Sequence, residues 1–250
     1  MFTPAKLAAQ PHRLAQQARE RFVRAMDRAV LALGNKLQLH LSALVSSGKF
    51  ASGADARQAL DTADAYRRER EQWVGRISQR WQALLTRGPG SGLSQAGALG
   101  LVDDEVVERK IIASRMAAAV ADAAGSDYND LRLRIQALEQ VSEWGRDEVL
   151  SPDTLMHLVV QAWTDGGLTR PMWALVQAPA MELLSASMAQ AYRQANEFLV
   201  AQGVMAEIDM KSRVRRADGG AGVGAQAERT APMPPEQGAY ADTVQGGVGW

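Results

Sequence analysis

Cysteine is absent from the 250 residues. Its absence excludes disulfide staples, thiolate metal sites and a cysteine nucleophile. Aromatic residues are sparse at 6%. No apolar run approaches the roughly 20 residues that cross a bilayer. Residues 1–21 lack the apolar core and cleavage site of a secretory signal, so a cytoplasmic location is expected. No segment alternates apolar and polar residues between hairpin turns, so strands are not expected. Net charge is also missing, with 28 basic residues against 28 acidic ones. What is present is a 46% hydrophobic content, too high for a wholly disordered chain and enough for one extended domain or two small ones.

The zero charge is a sum of unlike parts. Residues 1–90 hold 15 basic and 7 acidic side chains, a net of +8. Residues 91–202 hold 8 and 15, a net of −7, and residues 203–250 hold 5 and 6. A basic half followed by an acidic half can attract within one molecule or between subunits, or serve two partners.

Apolar residues recur at helical spacing. Phe22, Met26, Val30, Leu33, Leu37, Leu41 and Leu44 are separated by three or four positions, with heptad character. Ser46-Ser47-Gly48 ends that helix, expected over 12–47. A second, over 54–87, carries Leu60, Ala63, Tyr66, Trp73, Ile77, Trp81 and Leu84. Two long helices joined by a short turn predict an antiparallel hairpin. The breaker-rich stretch 88–100 marks the internal boundary. Shorter helices are expected beyond it: one from Asp103 to Gly125, one over 127–144, and one opened by Ser151-Pro152-Asp153, where Ser151 is a candidate cap. A short turn after Pro171 and a helix over 179–202, capped by Gly203-Val204, complete the pattern. The expected fold is all-α: a basic hairpin at 1–90, an acidic bundle at 91–216, and a Gly/Pro-rich disordered tail at 217–250.

No catalytic, cofactor or metal site emerges. GGAGVG at 219–224 has the spacing of a dinucleotide fingerprint but no strand before it. Asp103, Asp104, Glu105 and Glu108 suit a helix start as well as a cation. His12, His40 and His157 are isolated, and Ser46, Ser151 and Ser185 lack a nucleophile elbow. Two kinds of surface residue remain. Candidate contacts to a protein partner or a second copy are Phe22, Met26, Leu37, Trp73 and Trp81. Candidate contacts to nucleic acid or another polyanion are Arg21, Arg24, Arg28, Arg67, Arg68, Arg76, Arg80, Arg213, Arg215 and Arg216, diluted by interleaved acids such as Asp64 and Glu69.

Three short segments carry a likeness: Ala98–Glu105 (ALGLVDDE), Leu131-Arg132-Leu133-Arg134 leading to Leu150-Ser151-Pro152, and Ala191–Leu199 (AYRQANEFL) followed by Gly203-Val204. Together they resemble a proteobacterial family, domain of unknown function sixteen-thirty-one, over about residues 15–216. The resemblance implies a largely helical protein, an arginine-rich N-terminal region, and usually a much longer chain. Some members resemble carriers of a PilZ-type cyclic-di-GMP module toward the far C-terminus, a region this sequence is not expected to include. The expectation is therefore a truncated member or an N-terminal piece. A thymidine phosphorylase label attached to relatives does not fit a chain without expected strands or a Gly-rich phosphate loop. The reading is a non-enzymatic helical interaction or regulatory module, with polyanion binding by the hairpin as the alternative.

Overall fold

Helix α1 (Pro4–Ser47) and helix α2 (Gly53–Arg87) form the expected hairpin. The computed structural model describes residues 4–87, 104–145 and 147–206. The apolar stripe of α1 is sealed: Phe22, Met26, Val30, Leu33, Leu37 and Leu41 are each at most 1% exposed. Gly48 ends α1 with φ 60°, a left-handed conformation that costs a glycine little. Four residues on, Ser52 opens α2. Its Oγ accepts the Asp55 N–H at 3.1 Å and donates to the Asp55 carboxylate at 2.9 Å, satisfying a backbone donor left free at the helix start. The turn between leaves α2 no direction but antiparallel. Close approach of the two helices depends on Gly34, where an added Cβ would stand 2.9 Å from Val74 Cγ2. The Tyr66 hydroxyl donates to the Gly34 carbonyl at 3.2 Å across the same contact.

Beyond the link come α3 (Asp104–Glu139), α4 (Pro152–Asp165) and α5 (Arg170–Ala201). Two expected breaks are absent. Gly125 does not divide α3, whose single helix also stops earlier than 144, at Gln140 with φ 56°. One interior glycine costs only about 1 kcal/mol relative to alanine. That is outweighed by the packing of Met116, Val120 and Ala124 before it and Leu131 and Ile135 after it, all buried.

Pro179 likewise lies inside α5 instead of opening a new helix. A proline supplies no N–H, so the carbonyl four residues back, Leu175, loses its helical donor. His40 Nε2 of α1 lies 3.0 Å from that oxygen and takes the donor's place. His40→Ala is therefore expected to cost about 1–2 kcal/mol by orphaning the carbonyl. Adding Pro179→Ala, which restores the N–H, should recover most of the loss in urea denaturation. A double variant no more stable than His40→Ala would refute the compensation.

Helix ends follow simple rules. Ser151 sits at the start of α4 but makes no side-chain cap, contrary to the expected role. Its carbonyl accepts Leu155 N–H at 3.1 Å instead, and Pro152 needs no donor partner. α4 closes through Leu168 N–H to Trp163 O and Gly167 N–H to Thr164 O, with Gly167 at φ 71°. α5 closes in the same way at Gly203 (φ 77°), as its sequence predicts. Val204 N–H reaches Leu199 O at 3.0 Å and its side chain packs on the core.

Helices from both sides of the Gly-rich link supply one hydrophobic core. Tyr66, Trp73, Trp163 and Trp173 join α2, α4 and α5 at its centre, while Phe22 of α1 stacks on Tyr192 of α5 at 4.8 Å. Among the described residues there is no strand, and no helix is long and apolar enough to cross a membrane. The expected boundaries at 90 and 216, the tail at 217–250, GGAGVG and Arg213, Arg215 and Arg216 all lie outside the described residues.

Candidate interaction surface

Burial sorts the predicted contacts at once. Phe22, Leu37, Trp73 and Trp81 are 0% exposed and Met26 is 1%. The heptad stripe turns inward against α2 and α5, so none of the five is available to a partner in this fold. Sequence spacing identifies an apolar face but does not say whether the same chain covers it.

The arginines are not gathered into one patch. Arg67 pairs with Asp64 at 2.9 Å, Arg76 with Glu69 at 3.2 Å, and Arg80 with Asp165. Arg21 lies over the Phe198 ring, 4.1 Å from its centroid. Arg24, Arg28 and Arg68 are exposed, and no ion pair involves them among the described residues. Among the described residues, three basic side chains of the first half pair with acids of the second. Lys36 reaches Glu182 at 3.0 Å, Arg80 reaches Asp165, and Arg19 reaches two glutamates.

One exposed face of α1 stands out. Arg21, Arg24, Arg28, Leu31, Asn35 and Leu39 fall within about 80° of one another on a 3.6-residue helix. The buried stripe occupies the other side. Leu31 is 59% and Leu39 71% exposed. Beside them runs a groove of about 430 Å³ between α1 and α2, floored by Gly34, Val74 and Gly75 and edged by Leu31, Arg70 and Glu71. At Gly75 an added Cβ would meet nothing within 4 Å, and the missing side chain there leaves the groove open. Arg70 Nη1 closes part of one rim on Asn35 Oδ1 at 3.4 Å. The face offers apolar side chains in its middle and unpaired guanidinium groups toward the N-terminus of α1.

The other candidates resolve into structural roles or fall outside view. Glu108 pairs with Arg170, and Asp103 lies outside the described residues. Among the described residues no group of three His, Asp or Glu is placed to hold a metal ion. His12 is exposed, and His40 serves Leu175. His157, half-buried on α4, has its pKa lowered by desolvation and then by Arg109, Lys110 and Arg80. The fold thus favours the neutral imidazole, whereas the unfolded chain takes up the proton below about pH 6.5. Stability tied to His157 is complete above that pH and falls as pH drops through it. His157→Gln should lose less of its thermal midpoint than the unsubstituted protein between pH 7.5 and 5.5; an equal loss would contradict the assignment.

Sequence reasoning passed over the most heavily buried charges. Arg19, 4% exposed, donates Nε and Nη2 to the Glu148 carboxylate at 2.9 and 2.8 Å. Its Nη2 also reaches Glu139 Oε2 at 2.9 Å. Burial alone would lower the guanidinium pKa, but the hydrogen bonds and charges of the two glutamates hold it above its ordinary value. The triad fixes α1 to the end of α3 and to the connection before α4. Its signal was position: Arg19 sits among Ala15, Ala18, Phe22 and Val23 on the inward face. Arg134 is a second case. It donates to Asn196 Oδ1 at 2.7 Å, while Asn196 Nδ2 donates to Asp127 O at 2.7 Å, tying α3 to α5.

A family model described as the N-terminal domain of a protein of unknown function (DUF1631) matches residues 10–203. No curated protein and no solved structure matches the chain. The matched span begins inside α1 and ends at Gly203, the glycine that closes α5, so it takes in all five helices. The chain belongs to this family of proteins of unknown function, DUF1631.

Proposed function

We propose that the chain is a non-catalytic helical interaction module whose outward face on α1 docks a protein surface, apolar at its centre and acidic at one end. The observation that supports this most is Leu31 at 59% and Leu39 at 71% exposure, two turns apart, on the side of α1 that also carries the unpaired Arg24 and Arg28. Solitary exposed leucines are ordinary on protein surfaces. Two on one face, beside a groove and flanked by arginines, have the composition of an interface centre with a charged rim. The occupant is a helix of another protein or of a second copy.

Leu31→Asp/Leu39→Asp tests this without touching the core. Both side chains are exposed, so the thermal midpoint should stay within the small range of surface substitutions. Association should fall at least tenfold, measured as sedimentation of the chain with itself and as nuclease-resistant capture from native lysate compared with the unsubstituted protein. Unchanged association in the double variant would overturn the assignment of this face.

Exposed Arg21, Arg24 and Arg28 on the same face favour one second reading, binding of a polyanion. It differs in its readout: nucleic acid retained at low salt, released steeply as salt rises, and lost in Arg24→Ala/Arg28→Ala but not in an uncharged Leu31→Ser/Leu39→Ser variant.

A further inference from the structure

Three features of the outward α1 face bear on what covers it. The first is symmetry. Counted outward from Asn35, Leu31 and Leu39 stand four positions away, Arg28 and Ser42 seven, and Arg24 and Ser46 eleven. All of them are exposed and lie within about 40° of Asn35 on a 3.6-residue helix. Turned end over end about Asn35, the stripe falls on itself, leucine on leucine and arginine on serine. A two-fold pair needs this property, because one patch must serve both sides of the contact.

The second feature is charge. Both arginines lie in the N-terminal half of the stripe, and its C-terminal half carries no charge. Pairing two copies in parallel would set Arg24 on Arg24 and Arg28 on Arg28, like charges in direct opposition. Antiparallel pairing sets Arg28 over Ser42, and Arg24 over Ser46 in the last turn of the other α1. That turn has no basic residue, and the closing carbonyls of a helix carry partial negative charge.

The third is the centre. Asn35 Oδ1 accepts Arg70 Nη1 at 3.4 Å, which leaves the Nδ2 hydrogens for another acceptor. A single asparagine in an apolar helix seam fixes register, since sliding would set its amide against leucine. Facing its own copy, the amide finds both a donor and an acceptor.

We propose that the outward face of α1 is the interface of a two-fold dimer, in which α1 lies antiparallel on α1 of a second copy with Asn35 on the axis. Leu31 of each copy packs against Leu39 of the other, and the two Asn35 amides bond to each other. The inference rests on the docking role proposed above for this face and names its occupant.

The full chain lacks cysteine, so single introduced thiols report the register without interference. Under mild oxidation Asn35→Cys is expected to cross-link to itself. Leu31→Cys alone and Leu39→Cys alone are expected not to, because each lies about 12 Å along the axis from its own counterpart, beyond disulfide reach. Mixed together, those two variants should form the 31–39 disulfide. Sedimentation of the unsubstituted chain over a concentration series should pass from monomer to dimer and no further. Ser42→Glu, which offers Arg28 of the other copy a carboxylate, should tighten the dimer about fivefold at low salt, and Ser42→Arg should loosen it. Ser42 is exposed, so an unchanged thermal midpoint serves as the folding control. Self-cross-linking of all three cysteine variants would mean parallel pairing and overturns the arrangement, as do equal dimer affinities for the two Ser42 variants. A monomer at every concentration, with no disulfide from any variant, overturns the second copy as occupant. The docking role fails separately: it stands in that case if Leu31→Asp/Leu39→Asp still abolishes capture of another protein.

Discussion

Arg19→Ala is expected to cost about 3–5 kcal/mol, a large part of the roughly 5–15 kcal/mol that holds a typical domain folded. The reason is asymmetry. Glu139 and Glu148 have only 6% and 4% of their side-chain surface exposed. Truncating Arg19 leaves two carboxylates facing each other, shut off from water and without their counter-ion. Among the described residues, the Glu148 carboxylate keeps one other hydrogen bond, from the Leu150 N–H at 3.3 Å. The cost therefore lies in what remains behind, not in the attraction that was removed. Arg19→Met with Glu139→Gln and Glu148→Gln separates the two. It deletes all three charges, and should regain most of the loss despite removing every ion pair. Urea denaturation of the single and triple variants, with unchanged m-values, measures both. A triple variant as unstable as Arg19→Ala would show that the pairing itself, and not the stranded charge, carries the stability.

Trp163→Ala is expected to be as damaging, at about 3–5 kcal/mol, through a different cause. Trp163 is the hub of the aromatic centre. Its ring centroid lies 5.7 Å from Tyr66, 5.6 Å from Trp73 and 5.1 Å from Trp173. Truncation opens a cavity among α2, α4 and α5, and deprives Thr169 O of the indole N–H at 3.1 Å. Trp163→Phe keeps most of the apolar fill and loses that hydrogen bond, so its cost should be well under half. Thermal or urea denaturation ranks the two. Equal losses would place the effect in the indole N–H and not in packing.

Local patterning carried much of the architecture. The 3.6-residue stripe of α1, the Ser46-Ser47-Gly48 stop and the Gly203-Val204 closure each depend on neighbours in sequence, and each forms as expected. The continuity of α3 and α5 was hidden for a physical reason. Gly125 and Pro179 are breakers by local propensity, and their compensation is non-local. Pro179 is tolerated because His40, well over a hundred positions earlier, supplies the missing donor. Arg19 was passed over for a related reason, since its partners Glu139 and Glu148 lie beyond any sequence window. The inward stripe led to Phe22 and Trp73 as contacts because periodicity reveals an apolar face without naming its cover. The exposed Leu31 and Leu39 interrupt no pattern and became visible only once burial was known.

Photo-crosslinking from the outward face of α1 tests the interaction reading most directly. A benzophenone amino acid placed at Leu31 or Leu39 touches whatever covers that face, and the same group at exposed Ala118 of α3 serves as control. Irradiation in cells is expected to give one discrete protein adduct, with a partner or a second copy, from positions 31 and 39 and none from 118. No adduct from either leucine position, or the same adducts from all three, would contradict a docking surface on this face.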